Sequence, residues 1–236
     1  MRNMSKLDFI LIFELPTSFV VLPNMLQTIK KKYPYFPIIG MAGYLVFFAI
    51  ATTKYPGGSI NDIATEGYSF FHNFLCDLML PITESGTVNA ARPIAIFSHL
   101  LLSFTMISFF YILPEIFSYT NRNTRLVRGF GVLTMVIFIF MFTDYHDLIV
   151  TLTGVFGTVA LVPFFMELMK YEGKSLRLLA FVCFGLSVIV FISFQTKIGF
   201  YYLPFLQKIT FLFDAWWVIW VSLLVVEKKR SAPAIN

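Results

Sequence analysis

Apolar residues run along this chain in long blocks, and the polar residues between them come as short interruptions. A bilayer-crossing helix needs about 20 predominantly apolar residues. Six blocks meet that length, at 36–53, 93–113, 129–145, 147–169, 176–194 and 205–226. Turn-formers and charges divide them: YPGG at 55–58, NRNTR at 121–125, YEGK at 171–174 and YYLP at 201–204. The pattern predicts an all-α polytopic membrane bundle with six transmembrane helices and no internal repeat. The expected division is an N-terminal cytoplasmic or interfacial segment at 1–35, a membrane domain at 36–226 and a cytoplasmic tail at 227–236. The last residues, SAPAIN, are expected to be disordered.

Two stretches break the block pattern. The first, MRNMSKLDFILIFELPTSFVVL, looks like a secretory leader but has no small-x-small cleavage site, and Glu14 and Pro16 interrupt its apolar run. It is expected to be retained as a short helix at the membrane surface, with a seventh span over residues 7–22 as the alternative. The second is GYSFFHNFLCDL at 67–78. Counted from Ser69, its polar residues Ser69, His72, Asn73, Cys76 and Asp77 fall at i, i+3, i+4, i+7 and i+8, one face of a helix. An amphipathic extracytoplasmic helix over 67–80, between spans one and two, is therefore expected. Surface helices of this type have a polar face rich in Lys and Arg. This one has none, so its polar face is as well suited to a pocket as to water.

Composition supports the membrane reading. Of 236 residues, 58% are hydrophobic and 13% charged, against about 25% charged in soluble domains. The 29 Phe, 11 Tyr and 3 Trp suit lipid contact and interfacial belts. Cys76 and Cys183 form no CxxC pair, which argues against a disulfide framework or a thiolate zinc site.

The net charge of +5 is a topology signal. With both termini cytoplasmic, 14 of the 18 basic residues fall inside, and only Lys54, Arg92, Lys197 and Lys208 fall outside. Basic side chains facing anionic headgroups explain the charge without nucleic acid. The chain is expected in the cell membrane, plasma or inner. The same orientation puts His72, His99 and His146, with Asp77, Asp144 and Asp147, at the outer end.

Four constellations can carry chemistry there. The Ser69–Asp77 stripe is the first. The second is Arg92, His99 and Ser103, on one face of span two. A histidine so deep must meet a partner, because an unsatisfied polar group in hydrocarbon costs several kcal/mol. An interhelical hydrogen bond and a ligand-binding role are both open. In the third, Asp144, His146 and Asp147 crowd the turn between spans three and four. Asp147 is expected to cap span four, and Thr151, Gly154 and Thr158 continue a polar stripe into the bundle. The fourth is Asp214 in span six, at an insertion cost of about 2.5–3.5 kcal/mol, with His99 or Arg92 expected as its partner.

Motifs for serine hydrolases, zincins, P-loops and dinucleotide folds are absent. A metal would need ligands from separate elements: His72, His99 and His146, with an aspartate. Zinc held so, with an open position, would activate a water.

Tyr68, Ser69, Asn73 and Asp77 ahead of span two, and His146 after the turn following span three, resemble an uncharacterised group of bacterial six-helix membrane proteins. That group is distantly similar to the eukaryotic damage-regulated autophagy modulators. The resemblance runs loosely over 36–226 and implies a six-helix fold without an activity. The membrane hydrolases of the alkaline ceramidase and adiponectin-receptor type also gather Ser, Asp and three His around zinc. No histidine follows His146 here to supply their paired ligands, so that comparison suggests a chemistry and not a relationship.

Three functions follow as expectations. One is binding or moving a lipid or other hydrophobic small molecule in an outward-facing cavity lined by the residues above. Another is a metal-dependent membrane hydrolase with Asp77 or Asp147 as general base. The last is a structural subunit with protein partners in the membrane.

Overall fold

The computed structural model describes residues 32–231, and its chain divides into Met1–Tyr33 and Pro34–Asn236. Of the first unit only Lys32 and Tyr33 are described. The expectation for residues 7–22 and the end of the tail lie outside the described residues. The described residues of the second unit are all-α, with six α-helices: α1 (Phe36–Thr52), α2 (Arg92–Ile112), α3 (Arg122–Phe138), α4 (His146–Leu168), α5 (Lys174–Thr196) and α6 (Leu203–Ser231). All six belong to spans long and apolar enough to cross a membrane. The protein is a multi-pass helical membrane protein.

Local chemistry sets the helix ends. Pro37 and Pro93 lie in the first turns of α1 and α2, where the missing N–H is not needed. Asn121 caps α3 reciprocally: its side chain accepts from the Thr124 amide at 2.9 Å, and its amide donates to the Thr124 hydroxyl at 2.8 Å. This cap draws the polar turn Arg122–Arg128 into the helix, so α3 begins before the apolar block at 129. At the other end of the chain α6 continues to Ser231 beyond the block at 226. There the Lys228 ammonium donates to the carbonyls of Glu115, Ile116 and Phe117, which ties the last turn down.

Sequential helices pack side by side, α1 on α2, α2 on α3, α3 on α4 and α5 on α6, and α6 closes back on α1 and α2. In lipid the hydrophobic effect does not drive helices together, so close packing must do so. Gly40 shows how tight that packing is: a Cβ there would lie 2.0 Å from the Thr105 hydroxyl across the α1–α2 seam. At the centre, Trp217 of α6 meets Phe109 of α2 and Phe164 of α4 edge-on, with ring centroids 5.4 and 5.5 Å apart.

The connection between α1 and α2, residues 53–91, folds as a cap over one end of the bundle. It contains turns, two isolated β-bridges (Gly57 to Glu66, Ile82 to Val88) and a single 3-10 turn at Cys76–Met79. The expected helix over 67–80 does not form. The reason lies in the residues that suggested it. Asn73 Oδ1 takes the Ser69 amide at 2.9 Å, Asp77 Oδ2 takes the Phe74 amide at 2.9 Å, and Gln207 of α6 takes the Leu75 amide at 3.0 Å. Amides that would feed a helix ladder are captured by side chains instead.

Candidate functional site

The centre of the cap is a buried polar knot. Asn73 is fully buried, and its Nδ2 donates to Gly58 O at 2.8 Å and Asp77 Oδ2 at 2.9 Å, with Tyr55 Oη at 3.5 Å. Gly57 and Gly58 bring that carbonyl inward at positive φ, 131° and 85°, a conformation that side chains resist. Beneath the knot, Lys208 of α6 is 3% exposed. Its ammonium donates to Asn73 O and, at 3.0 Å, to Pro204 O, and it lies over the rings of Tyr68 and Phe70. Burial holds the Asp77 carboxyl up at about 6, even though the Asn73 and Phe74 hydrogen bonds and the Lys208 charge all favour ionisation. Asn89 fixes the return to α2 by donating to the carbonyls of Asp77, Leu78 and Leu80 and accepting from the Ala91 amide.

Beside the knot lies an open cleft of about 260 Å³. Met79, Leu80, Met141 and Phe142 are among its apolar lining, and Arg92, Asp144 and His146 supply its charged or titratable groups. Cys76, adjacent to Asp77, also lines it. Arg92 is steadied by donation from Nε to Met79 O at 3.1 Å. Burial pushes the Cys76 thiol up, which keeps it protonated and a poor nucleophile. The knot thus holds the cap segment 76–81 that contributes to one wall of the cleft.

The structure brings Asn73 and Asp77 together in the knot, and Arg92, Asp144 and His146 together around the cleft. Ser69 reaches the knot through its backbone amide and Asp147 reaches the cleft only through His146, while His72, His99, Ser103 and Asp214 are engaged elsewhere. Ser69 turns its hydroxyl to the His72 amide at 3.2 Å, and the His72 ring lies 6.0 Å from that of Tyr201. His99 Nε2 meets the Phe138 carbonyl at 2.9 Å, with its ring against Phe138, which is the interhelical bond of α2 to α3. Ser103 donates back to His99 O at 2.9 Å within its own helix.

Three expectations are corrected. His72, His99 and His146 do not share a metal site: among the described residues no three His, Cys, Asp or Glu side chains can hold a metal ion. His72 belongs to the cap loop, His99 to α2 and His146 to α4, and the last two are spent on the Phe138 carbonyl and on Asp147. Asp147 does not cap α4, because Tyr145 occupies that position without a side-chain bond. Asp147 instead pairs with His146 Nδ1 at 2.9 Å, exposed to solvent. Asp214 faces neither His99 nor Arg92: its partner is the Cys183 thiol of α5. The Thr151–Thr158 stripe is also spent on helix contact. Thr151 accepts from Gln195, and Gly154 lies against Phe191.

Two buried charges escaped sequence reasoning. Lys208 was grouped with the basic residues facing outward, yet it sits inside the apolar run QKITFLF, and that position was the available signal. Glu167, fully buried at the end of α4, collects Tyr119 Oη, Asn121 Nδ2 at 2.9 Å, Asn123 Nδ2 and Lys170 Nζ at 3.0 Å. A single acid within FFMELMK was its only mark.

The class defined by fold and site is a six-span helical membrane protein with a buried polar knot beneath a loop cap. Comparison with protein-family models, with curated proteins and with solved structures gives no match.

Proposed function

We propose that the protein binds an amphiphilic lipid of the outer leaflet in the cleft beside the cap. The basic end of the bundle is assigned to the cytoplasm by its Lys and Arg excess, which puts the cap outside, in the plasma or inner membrane. The cleft carries this reading: an apolar lining that includes Met79, Leu80, Met141 and Phe142, with Arg92, Asp144 and His146 at the same opening. Its volume, about 260 Å³, falls short of the roughly 300–1,000 Å³ of sites that enclose a whole drug-sized ligand. It suits a headgroup and the first carbons of a chain whose remainder lies in the bilayer. A cation and a carboxylate in one small cleft match a zwitterionic headgroup, phosphate to Arg92 and ammonium to Asp144. The resemblance to the bacterial six-helix group, itself a proposal, supplies a fold and no activity.

The test is photo-crosslinking with a phosphatidylethanolamine carrying a diazirine near the top of its acyl chain. Adducts are expected to concentrate on peptides containing Met79–Pro81 and Met141–Phe142, and Arg92→Ala is expected to reduce them severalfold. Adducts spread evenly over the exposed faces of all six helices, unchanged in R92A, would leave the cleft without a ligand and favour the structural-subunit alternative.

A further inference from the structure

The opposite end of the bundle carries a second cleft, of about 310 Å³, that the lipid reading does not use. Its wall joins the end of α2 to the start of α3 and includes Glu115, Ser118, Thr120, Thr124, Arg125 and Arg128. The charges there are unevenly spent. Glu115, the only acid in the lining, is paired with Lys229 at 2.8 Å and lies 4.0 Å from the Arg128 guanidinium. Arg128 also donates Nε to Tyr111 O at 2.9 Å. The Arg125 side chain has no such use: it is exposed, and among the described residues it makes no hydrogen bond or ion pair, while the backbone amide is spent on Asn121 O. The Ser118 and Thr120 hydroxyls are likewise exposed and without partners among the described residues.

The same wall is held in place from behind. Glu167 draws in Tyr119, Asn121 and Asn123, so the segment bearing the free hydroxyls is anchored at three points. Lys228 grips the carbonyls of Glu115, Ile116 and Phe117. A neutralised acid, an uncommitted guanidinium and two idle hydroxyls on an anchored backbone make a pre-organised receptor for an oxyanion. Basic residues at this face also serve topology, but topology needs neither a cavity nor an anchored wall around it.

We propose that this cleft binds an anionic phosphate group, with Arg125 as the principal cation and Ser118 and Thr120 as hydroxyl donors. The phosphate is either the headgroup of an anionic lipid or a soluble ion, since both present the same oxygens.

The experiment is native mass spectrometry of the full chain in detergent with phosphatidic acid, phosphatidylcholine or inorganic phosphate. Wild type is expected to retain phosphatidic acid about tenfold better than phosphatidylcholine. Arg125→Gln is expected to remove that preference, a loss on the scale of one charge-assisted contact. Lys174→Gln removes an exposed charge at the same end and is expected to retain the preference. Displacement of phosphatidic acid by millimolar inorganic phosphate assigns the cleft to a soluble ion, and retention assigns it to the lipid. Equal binding of the two lipids by wild type, or equal losses in R125Q and K174Q, overturns the proposal. Because Arg92 is itself proposed to take a headgroup phosphate, the comparison is repeated in R92A. A phosphatidic acid preference that persists there and is lost in R125Q supports the cleft at the basic end, and a preference lost in R92A overturns it.

Discussion

The two ends of the bundle solve one problem with opposite charges. At the cap, the groups to be satisfied are carbonyl oxygens, and a buried cation, Lys208, donates to Asn73 O and Pro204 O. At the basic end they are amide and hydroxyl donors, and a buried anion, Glu167, accepts from Tyr119, Asn121, Asn123 and Lys170. In each case one charge from a helix end fastens a loop that would otherwise sit loosely on the bundle. The lesson is that the buried charges Lys208 and Glu167 are structural, and the side chains left free for ligands, Arg125 and Asp144, lie beside them at the rims.

Removing the cation is expected to cost most. Lys208→Met keeps the aliphatic stem, but it leaves a buried carbonyl without its donor and Asp77 without its neighbouring charge. A loss of about 3–5 kcal/mol is expected, the range for breaking a buried charged contact. It would be read as a lower unfolding temperature in detergent and as early protease cutting within residues 53–91. A midpoint equal to wild type would mean that the cap is held by other contacts.

Glu167→Gln keeps size and one acceptor but loses the charge and half of the accepting capacity. About 2 kcal/mol is expected, with faster amide exchange confined to residues 118–123. Exchange that quickens at the cap as well would show that the two ends are coupled.

The next effect is a pH dependence. Asp77 titrates near 6 in the folded protein against an ordinary value of 3.8. The folded state therefore holds the proton more tightly than the unfolded chain between those values. Stability must fall as pH rises through that window, by about 2 kcal/mol between pH 4 and 7. The unfolding midpoint of wild type is expected to rise on acidification from pH 7.5 to 5. Asp77→Asn is expected to flatten that slope, and a wild-type midpoint that falls would reverse the assignment. The smallest change is expected from Asp144→Ala, exposed and at the rim, with stability within about 0.5 kcal/mol of wild type. Its effect should show only in phosphatidylethanolamine crosslinking.

How much of this was readable in the sequence depends on the kind of contact. Helix blocks announce themselves because lipid demands about 20 apolar residues in a row, so the six spans were legible, apart from ends set by Asn121 and Lys228. Asn73 and Asp77 were recognised as polar residues worth attention, but their spacing suggested a helix that their own side chains prevent. A period-3.6 pattern does not reveal whether a side chain will take a backbone amide. Asp214 was visible as an intramembrane acid, while its thiol partner on another helix was not. Lys208 and Glu167 were the hardest to see. A charge at the end of an apolar block looks the same in sequence whether it faces headgroups or turns inward.

Lys208 lies 135 residues after Asn73, the cap residue whose carbonyl it binds. The loop leaves the ribosome early, yet its keystone arrives only with α6. A nascent chain halted before that helix would keep the cap unlatched, with the carbonyl groups of the knot still seeking donors. Closure of the cap therefore waits until α6 has been made and inserted, and until then the loop stays unfastened.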